Sequence, residues 1–550
     1  MPEPVTVPPA PPPGTFEAVP TTSVPLPTST TSAHDLLGLV LAHAELRPDS
    51  PALQDDHGRF TYGELARHVA NLASGLSALG VGAGDRVGLY LPNSADFVSL
   101  ALSCLWLGAV WVPLQVNSPP PRLATVTEDC SPALVVAREE DGAALAGLGR
   151  RLATPAEVVA AGPAEVAAGP ARVPRAQGVP RAQGTDRDAY LIYTSGTTGV
   201  PKGVRARQDA VCWETCRTAE VLGLDQTTRG LAVSAFNFDG SYGLVFPVLV
   251  AGGLLIVPRR EDILYPKRFY QFVVDEGVTF TSFSPSYLRL VMRARQSVRL
   301  AGSRLGALLL GGEECVAADV RKLWSVLPEV RVFNRYGPTE TTIAVTTYEI
   351  TPEDVASGHV PIGTPHRGTD FFLVDEGGGL VAGPGAPGEL YIGGKQLMRG
   401  YWGDEELSRG ALRNDVVAGR TLYKTGDLVW RDAAGRYMYM GRLDDVVKRN
   451  GVRISLAEVA RAFHDVPGVT AVACALVDLS GAPGIAAFVE APPATDVAGL
   501  FVTAEAQLPA AMLPDEIHIV ESLPMTPQGK VDRRRLLAAN GRTAWEGQAL

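Results

Sequence analysis

Hydroxyls, glycines and one cation are packed together in Thr194-Ser195-Gly196-Thr197-Thr198-Gly199-Val200-Pro201-Lys202-Gly203. Glycine lets a backbone turn sharply and brings its N–H groups close to a ligand. Successive N–H groups joined by Ser and Thr hydroxyls make a nest for an anion. The apolar run before the loop, Ala189-Tyr190-Leu191-Ile192-Tyr193, predicts a buried strand. A strand feeding such a loop is the layout of a phosphate grip. The residue order is not the Walker pattern, which needs a Gly-Lys-Ser/Thr ending.

Five further stretches place chemical groups after turns. Phe333-Asn334-Arg335-Tyr336-Gly337-Pro338-Thr339-Glu340 combines an amide, an aromatic ring and a carboxylate. Leu310-Gly311-Gly312-Glu313 follows an apolar run, and Thr425-Gly426-Asp427 leads on to Gly441-Arg442-Leu443-Asp444. Pro527-Gln528-Gly529-Lys530-Val531-Asp532-Arg533 sets a lysine in a polar loop. Singly, each reads as an ordinary turn or a solvated charge. In this order they resemble the motif series of the adenylate-forming superfamily: acyl- and aryl-CoA ligases, luciferases and the amino-acid adenylation domains of nonribosomal peptide synthetases. The resemblance runs from about His34 to Arg535, and Gln528 stands where the family usually has Asn.

That resemblance implies an ATP-dependent, AMP-forming ligase that uses Mg²⁺. Its phosphate loop is Thr194, Ser195, Gly196, Thr197, Thr198, Gly199 and Lys202. Gly312 and Glu313 are expected beside adenine, Tyr336 stacked on it, Asn334 at its edge and Gly337 in the turn between. Asp427 is expected to accept the ribose hydroxyls, with Arg442 as a further nucleotide contact. Thr339, Glu340 and Lys530 are the expected catalytic residues, Glu340 holding Mg²⁺ through phosphate oxygens. Asp444 matches the family hinge, about which a small domain rotates to bring Val447-Lys448-Arg449-Asn450-Gly451-Val452-Arg453-Ile454 to the site.

Phe236-Asn237-Phe238-Asp239-Gly240-Ser241 looks like the family's amino-acid-binding segment, in which the Asp pairs with the substrate ammonium. A buried carboxylate without a cationic partner is costly, so Asp239 implies an amino-bearing substrate. The pocket carried over from the family is Asp239, Gly240, Gly243, Ser282, Leu309, Gly311, Arg335, Ile343 and Ala344. Arg335 is its unusual member. A guanidinium suits a planar carboxylate, which predicts an acidic substrate such as aspartate, glutamate, or a methylated or β-amino relative.

These residues need a scaffold. Strand and helix patterns alternate from His34 to about residue 440, which predicts mostly parallel sheets flanked by helices. Thr61 and Glu64 are spaced for a capping box. The apolar run 97–116 is long enough for a membrane span but holds Gly108 and Pro113; a buried helix, Ala95–Leu107, and a buried strand, Ala109–Leu114, explain it better. Residues 1–33, rich in Pro, Ser and Thr, are expected to be disordered. The span 154–187, with a tandem Val-Pro-Arg-Ala-Gln-Gly repeat, is expected to be a flexible insertion. The expected fold is α/β. A large N-terminal domain of mixed and parallel sheets spans 34–443, and a small mobile α+β C-terminal domain spans 444–540.

With 49 Lys and Arg against 59 Asp and Glu, the chain carries a net charge of −10, which argues against nucleic acid or an anionic membrane as a partner. Its six cysteines are irregularly spaced, which predicts buried free thiols and a cytoplasmic protein. The start lacks a signal peptide, and no serine-bearing carrier motif follows Arg535. The expected function is therefore a stand-alone enzyme that adenylates an amino acid in natural-product biosynthesis and passes it to the phosphopantetheine thiol of a carrier protein acting in trans. An acyl- or aryl-acid CoA ligase is the first alternative, and a non-catalytic nucleotide-binding protein the second.

Overall fold

The structure is a computed structural model that describes residues 35–162, 181–182, 184, 186–195, 201–293, 295–443, 446–449, 452–464, 466–479, 483–508, 512–526 and 531–544. Two largely parallel sheets form the body. The first runs Leu152–Ala153, Leu134–Ala137, Arg86–Tyr90, Val110–Pro113, Asp188–Ser195, Pro201–Arg207, with only its last pair antiparallel. The second has eight strands. Its centre is parallel, and its edge strands Thr346–Glu349 and Arg59–Thr61 are antiparallel.

Helix Ala95–Leu107 shares a core cluster with residues of both sheets. Ser94 caps its start by accepting from the Phe97 N–H at 3.2 Å, and Gly108 ends it at φ 71°. All but Asp96 of its residues are buried, so it has no wet face and belongs in the core. The strand after it is Val110–Pro113. The apolar run 97–116 is thus a buried helix and strand, and no described helix is long and apolar enough to cross a membrane. The capping box of Thr61 and Glu64 forms as its spacing predicts.

Two expectations need correction. Residues 369–442 are not parallel: Thr369–Val374, Pro387–Gly394, Leu412–Arg413, Leu422–Arg431 and Tyr437–Arg442 form an antiparallel sheet. Turns rather than full crossover helices join most of these strands, so neighbours reverse direction. The predicted insertion at 154–187 also starts with order. Thr154 and Glu157 make a capping box, Pro155 takes the first turn, and helix Pro155–Ala161 buries Val158 against Gly75. The tandem repeat spans 173–184, and apart from Arg181, Ala182 and Gly184 it lies outside the described residues.

The C-terminal region folds around its own core. Ala471–Asp478 pairs antiparallel with Pro483–Glu490, which pairs parallel with Glu516–Val520 across helix Val497–Gln507. A hairpin, Val446–Arg449 with Val452–Ser455, joins it to the body. Arg461 donates to Glu314 at 3.0 Å through Nε, and Arg293 pairs with Glu490, so ion pairs tie this region to the larger one.

Candidate active site

Sheet register assembles the site. In the eight-stranded sheet Ser282 lies beside Leu309, and Gly311 beside Arg335, so four of the predicted pocket residues line the C-terminal ends of adjacent parallel strands. Ligands of open α/β sheets bind at such ends. The next turn brings the chain back. A Cβ on Gly337 would sit 2.4 Å from Ala344 Cα, so only glycine allows this close return. Thr342 and Ile343 then adopt φ values of 57° and 70°, a left-handed conformation that β-branched residues rarely take. Strain of this kind persists where the surroundings over-determine it, as at binding sites.

Asp239 stands opposite that turn, 3% exposed. Its Oδ1 accepts from the Thr339 hydroxyl at 3.1 Å, and its Oδ2 has no hydrogen-bond partner among the described residues. Burial pushes its carboxyl up to about 6, against the opposing effects of Thr339, the Ile343 N–H and Arg335. The approach to Asp239 is clamped. Asn93 accepts from the Phe236 N–H at 2.9 Å and donates to the Ser234 carbonyl at 2.8 Å. The Tyr242 hydroxyl donates to the Phe236 carbonyl at 2.8 Å and accepts from Trp111 at 3.0 Å. Sequence reasoning gave no role to Asn93 or Trp111; both act across long chain separations.

Arg335 departs from expectation. It is 7% exposed and donates to the Gly243 carbonyl at 3.1 Å, but its other terminal nitrogen pairs with Glu214, which is fully buried on helix Gln208–Leu222. A protein carboxylate already matches the guanidinium, and this removes the electrostatic reason for an acidic substrate. Glu214 was missed, although its sequence carries a signal: it shares a helix face with Ala210, Val211, Thr218 and Leu222, where a charge is out of place.

A second cluster faces the nucleotide motifs. Asp427 lies opposite Arg442 in the antiparallel sheet, with Nη1 of Arg442 at 3.3 Å from its Oδ1 and the Tyr336 hydroxyl bonded to Oδ2. Burial first, and then Asp427, holds the Tyr336 hydroxyl well above its usual range, so it remains a donor. Glu340 accepts from Tyr401 at 2.9 Å, and the Tyr401 ring lies 5.9 Å from the Lys202 ammonium. Tyr401 therefore links the cation after the phosphate loop to the predicted magnesium carboxylate. It too was missed, since nothing around it in the chain suggests chemistry.

Two predicted adenine contacts are engaged elsewhere. The Asn334 amide donates to the Pro361 carbonyl at 2.8 Å, and Glu313 Oε2 accepts from the Ser286 N–H at 3.0 Å and its hydroxyl at 2.6 Å. Asn334 keeps a carbonyl for a ligand, whereas that oxygen of Glu313 holds the start of the neighbouring helix. Gly312, at φ 82°, supplies the turn before Glu313. Thr194 is the last residue but one of the strand that enters the phosphate loop, in register with Lys202 on the strand that leaves it. Gly196, Thr197, Thr198, Gly199, Asp444 and Lys530 lie outside the described residues, as does the side chain of Ser195. Among the described residues no group of three His, Cys, Asp or Glu side chains is placed to hold a metal by itself. All six cysteines are buried and outside disulfides.

Comparison with known proteins now decides the family. The profile of the AMP-binding enzymes matches residues 40–402. The chain belongs to that family. It is an ATP-dependent, adenylate-forming ligase. Surfactin synthase subunit 1 of Bacillus subtilis (strain 168) is 31% identical over 511 residues, which are 90% of this chain and 14% of that protein. The chain thus spans a small part of the curated relatives it matches. A holo four-domain nonribosomal peptide synthetase bound to AMP and glycine superposes with a TM-score of 0.78 at 30% identity, over 91% of this chain and 36% of that one. The anthranilate CoA ligase AuaEII in complex with anthranoyl-AMP gives 0.81 at 22% identity, over 94% and 98%; this shows the shared fold alone.

Proposed function

We propose that this AMP-binding enzyme activates an amino acid: it joins the substrate carboxylate to the α-phosphate of ATP, releases pyrophosphate, and passes the aminoacyl group to the phosphopantetheine thiol of a carrier protein. One observation carries the reading. Asp239 is buried, held on one oxygen by Thr339 and open on the other. An ammonium group supplies the missing partner and offsets the cost of burying the charge. A neutral aryl or acyl acid leaves that oxygen unpaired.

The remaining residues fit the nucleotide. Asp427 is a buried acceptor suited to ribose hydroxyls, and Arg442 and Tyr336 orient it. Lys202 offers positive charge beside Glu340. One carboxylate is a usual protein share of a Mg²⁺ shell completed by phosphate oxygens and water, so Glu340 suits that ion. The metal supplies charge neutralisation at the phosphates when bound. Lys530 is assigned to the reacting oxygens, where positive charge developing its effect only in the transition state lowers the barrier most. Surfactin synthase and the glycine-bound synthetase, as nonribosomal peptide assembly proteins, support a place in natural-product biosynthesis.

ATP–pyrophosphate exchange across a panel of amino acids and their des-amino analogues tests the assignment. Exchange is expected with an amino acid and not with its des-amino analogue. Thioester should then form on a separately supplied holo carrier. Exchange with aryl acids, followed by thioester formation on free CoA, selects the CoA-ligase reading instead.

A further inference from the structure

The polar pair behind Asp239 narrows the substrate of the proposed amino-acid activation, and this narrowing rests on that reading. We infer that Glu214 and Arg335 together form the end of the site that reads the substrate side chain, and that they select a small amino acid with an uncharged, hydrogen-bonding side chain.

The geometry of the pair leaves bonding capacity open. Glu214 Oε1 accepts from the Thr218 hydroxyl at 2.7 Å and from Arg335. Glu214 Oε2, Arg335 Nε and the Tyr190 hydroxyl are buried with no hydrogen-bond partner among the described residues. A pair kept only for packing satisfies its polar atoms, because each buried unmet donor or acceptor weakens the fold. Here an acceptor and a donor stay open on the two partners. They also lie close to Asp239: Arg335 Nη1 donates at 3.1 Å to the carbonyl of Gly243, in the helix that directly follows the turn carrying Asp239.

Charge and space narrow the ligand further. Glu214 and Arg335 neutralise one another, and the substrate ammonium neutralises Asp239. A charged side chain then brings an unmatched charge into a site closed to water. A side-chain carboxylate has to displace Glu214 from Arg335 to be paired. His366 supplies no spare cation, because burial, Arg335 and Arg217 lower it to about 3. The guanidinium also occupies the space beside Gly243, where a Cβ would lie 1.8 Å from Nη1. That side of the site is full, so a large ring or long chain does not fit. A hydroxyl or amide meets both an acceptor and a donor.

The test is exchange by the full chain with serine, threonine, asparagine, valine, leucine, phenylalanine, aspartate, glutamate, lysine and the β-amino relatives of the small and acidic members. The best substrate should be small, polar and uncharged, and threonine-type substrates should exceed isosteric valine-type ones by roughly 10²-fold or more. Leadership by an acidic, basic or large apolar amino acid overturns the inference alone. Exchange with no amino acid overturns the activation reading and this inference with it. The double variant Glu214→Leu/Arg335→Leu, which leaves no charge unpaired, should bring the polar and apolar isosteres to within about threefold, still dependent on Asp239. Should that variant not fold, Glu214→Gln, of the same shape, should cut the discrimination by about tenfold. An unchanged ranking in the folded variant makes the pair structural and overturns the inference.

Discussion

The Thr339 hydroxyl donates to Asp239 Oδ1 at 3.1 Å, so the turn that carries Glu340 also fixes the carboxylate proposed to hold the substrate ammonium. The Asp239→Asn variant should lose amino-acid-dependent exchange by 10²-fold or more, since it removes the charge that pairs with the ammonium (roughly 3 kcal/mol or above). Thr339→Val should lose about tenfold, mostly in the amino-acid KM, with the KM for ATP nearly unchanged. Exchange kinetics with each substrate varied in turn separate these outcomes.

The same burial gives the site a pH dependence. The Asp239 carboxyl sits near 6 in the folded protein, above the ordinary carboxylate range. Its proton is held more tightly folded than unfolded, so this group favours the folded free enzyme as pH falls through 6 and opposes it above. Substrate binding runs the other way, because only the ionised carboxylate pairs with an ammonium. The value of kcat/KM for the amino acid should rise about tenfold per pH unit below 6 and level off above about 7. A profile in which Asp239→Asn keeps that rising limb assigns it to another group.

On the nucleotide side, Asp427 is the junction of Tyr336 and Arg442. Asp427→Ala removes the proposed ribose acceptor and leaves two donors without it. The KM for ATP should rise by about 10–100-fold, equivalent to roughly 1.5–3 kcal/mol for bonds to a charged group, while the amino-acid KM stays within a few-fold. Titration with ATP at saturating amino acid reads the difference directly.

Much of this was legible in the chain because its information is local. The helix Ala95–Leu107, the cap pair Thr61 and Glu64, and the turn around Gly337 are each set by neighbours in sequence. The misreadings have long-range causes. The direction of the strands after residue 369 depends on which strands pair, and alternation alone does not report that. Arg335 read as a free cation because its partner Glu214 lies 121 residues earlier. Tyr401 reaches Glu340 across 61 residues and carries no motif of its own. Glu214 was the recoverable case: a charge on a buried helix face is a local anomaly, and it marks the residue that changes the substrate prediction.

The ties between the two regions give a further test. Arg461 bonds Glu314, which directly follows the predicted adenine-side residue Glu313, and Arg293 bonds Glu490 at the end of the central strand of the C-terminal sheet. Both arginines are partly exposed, so each pair contributes about 1 kcal/mol or less. If these pairs hold one of two arrangements needed for successive half-reactions, weakening them shifts a population rather than removing a catalytic group. Arg461→Ala combined with Arg293→Ala should leave kcat for pyrophosphate exchange within about fivefold, and should change the ratio of exchange to carrier loading by up to about tenfold. Equal changes in both rates show that the pairs stabilise the fold without biasing that ratio. Measuring both half-reactions on one preparation, at low and at high salt, decides it, because the effect of an exposed pair fades as ionic strength rises.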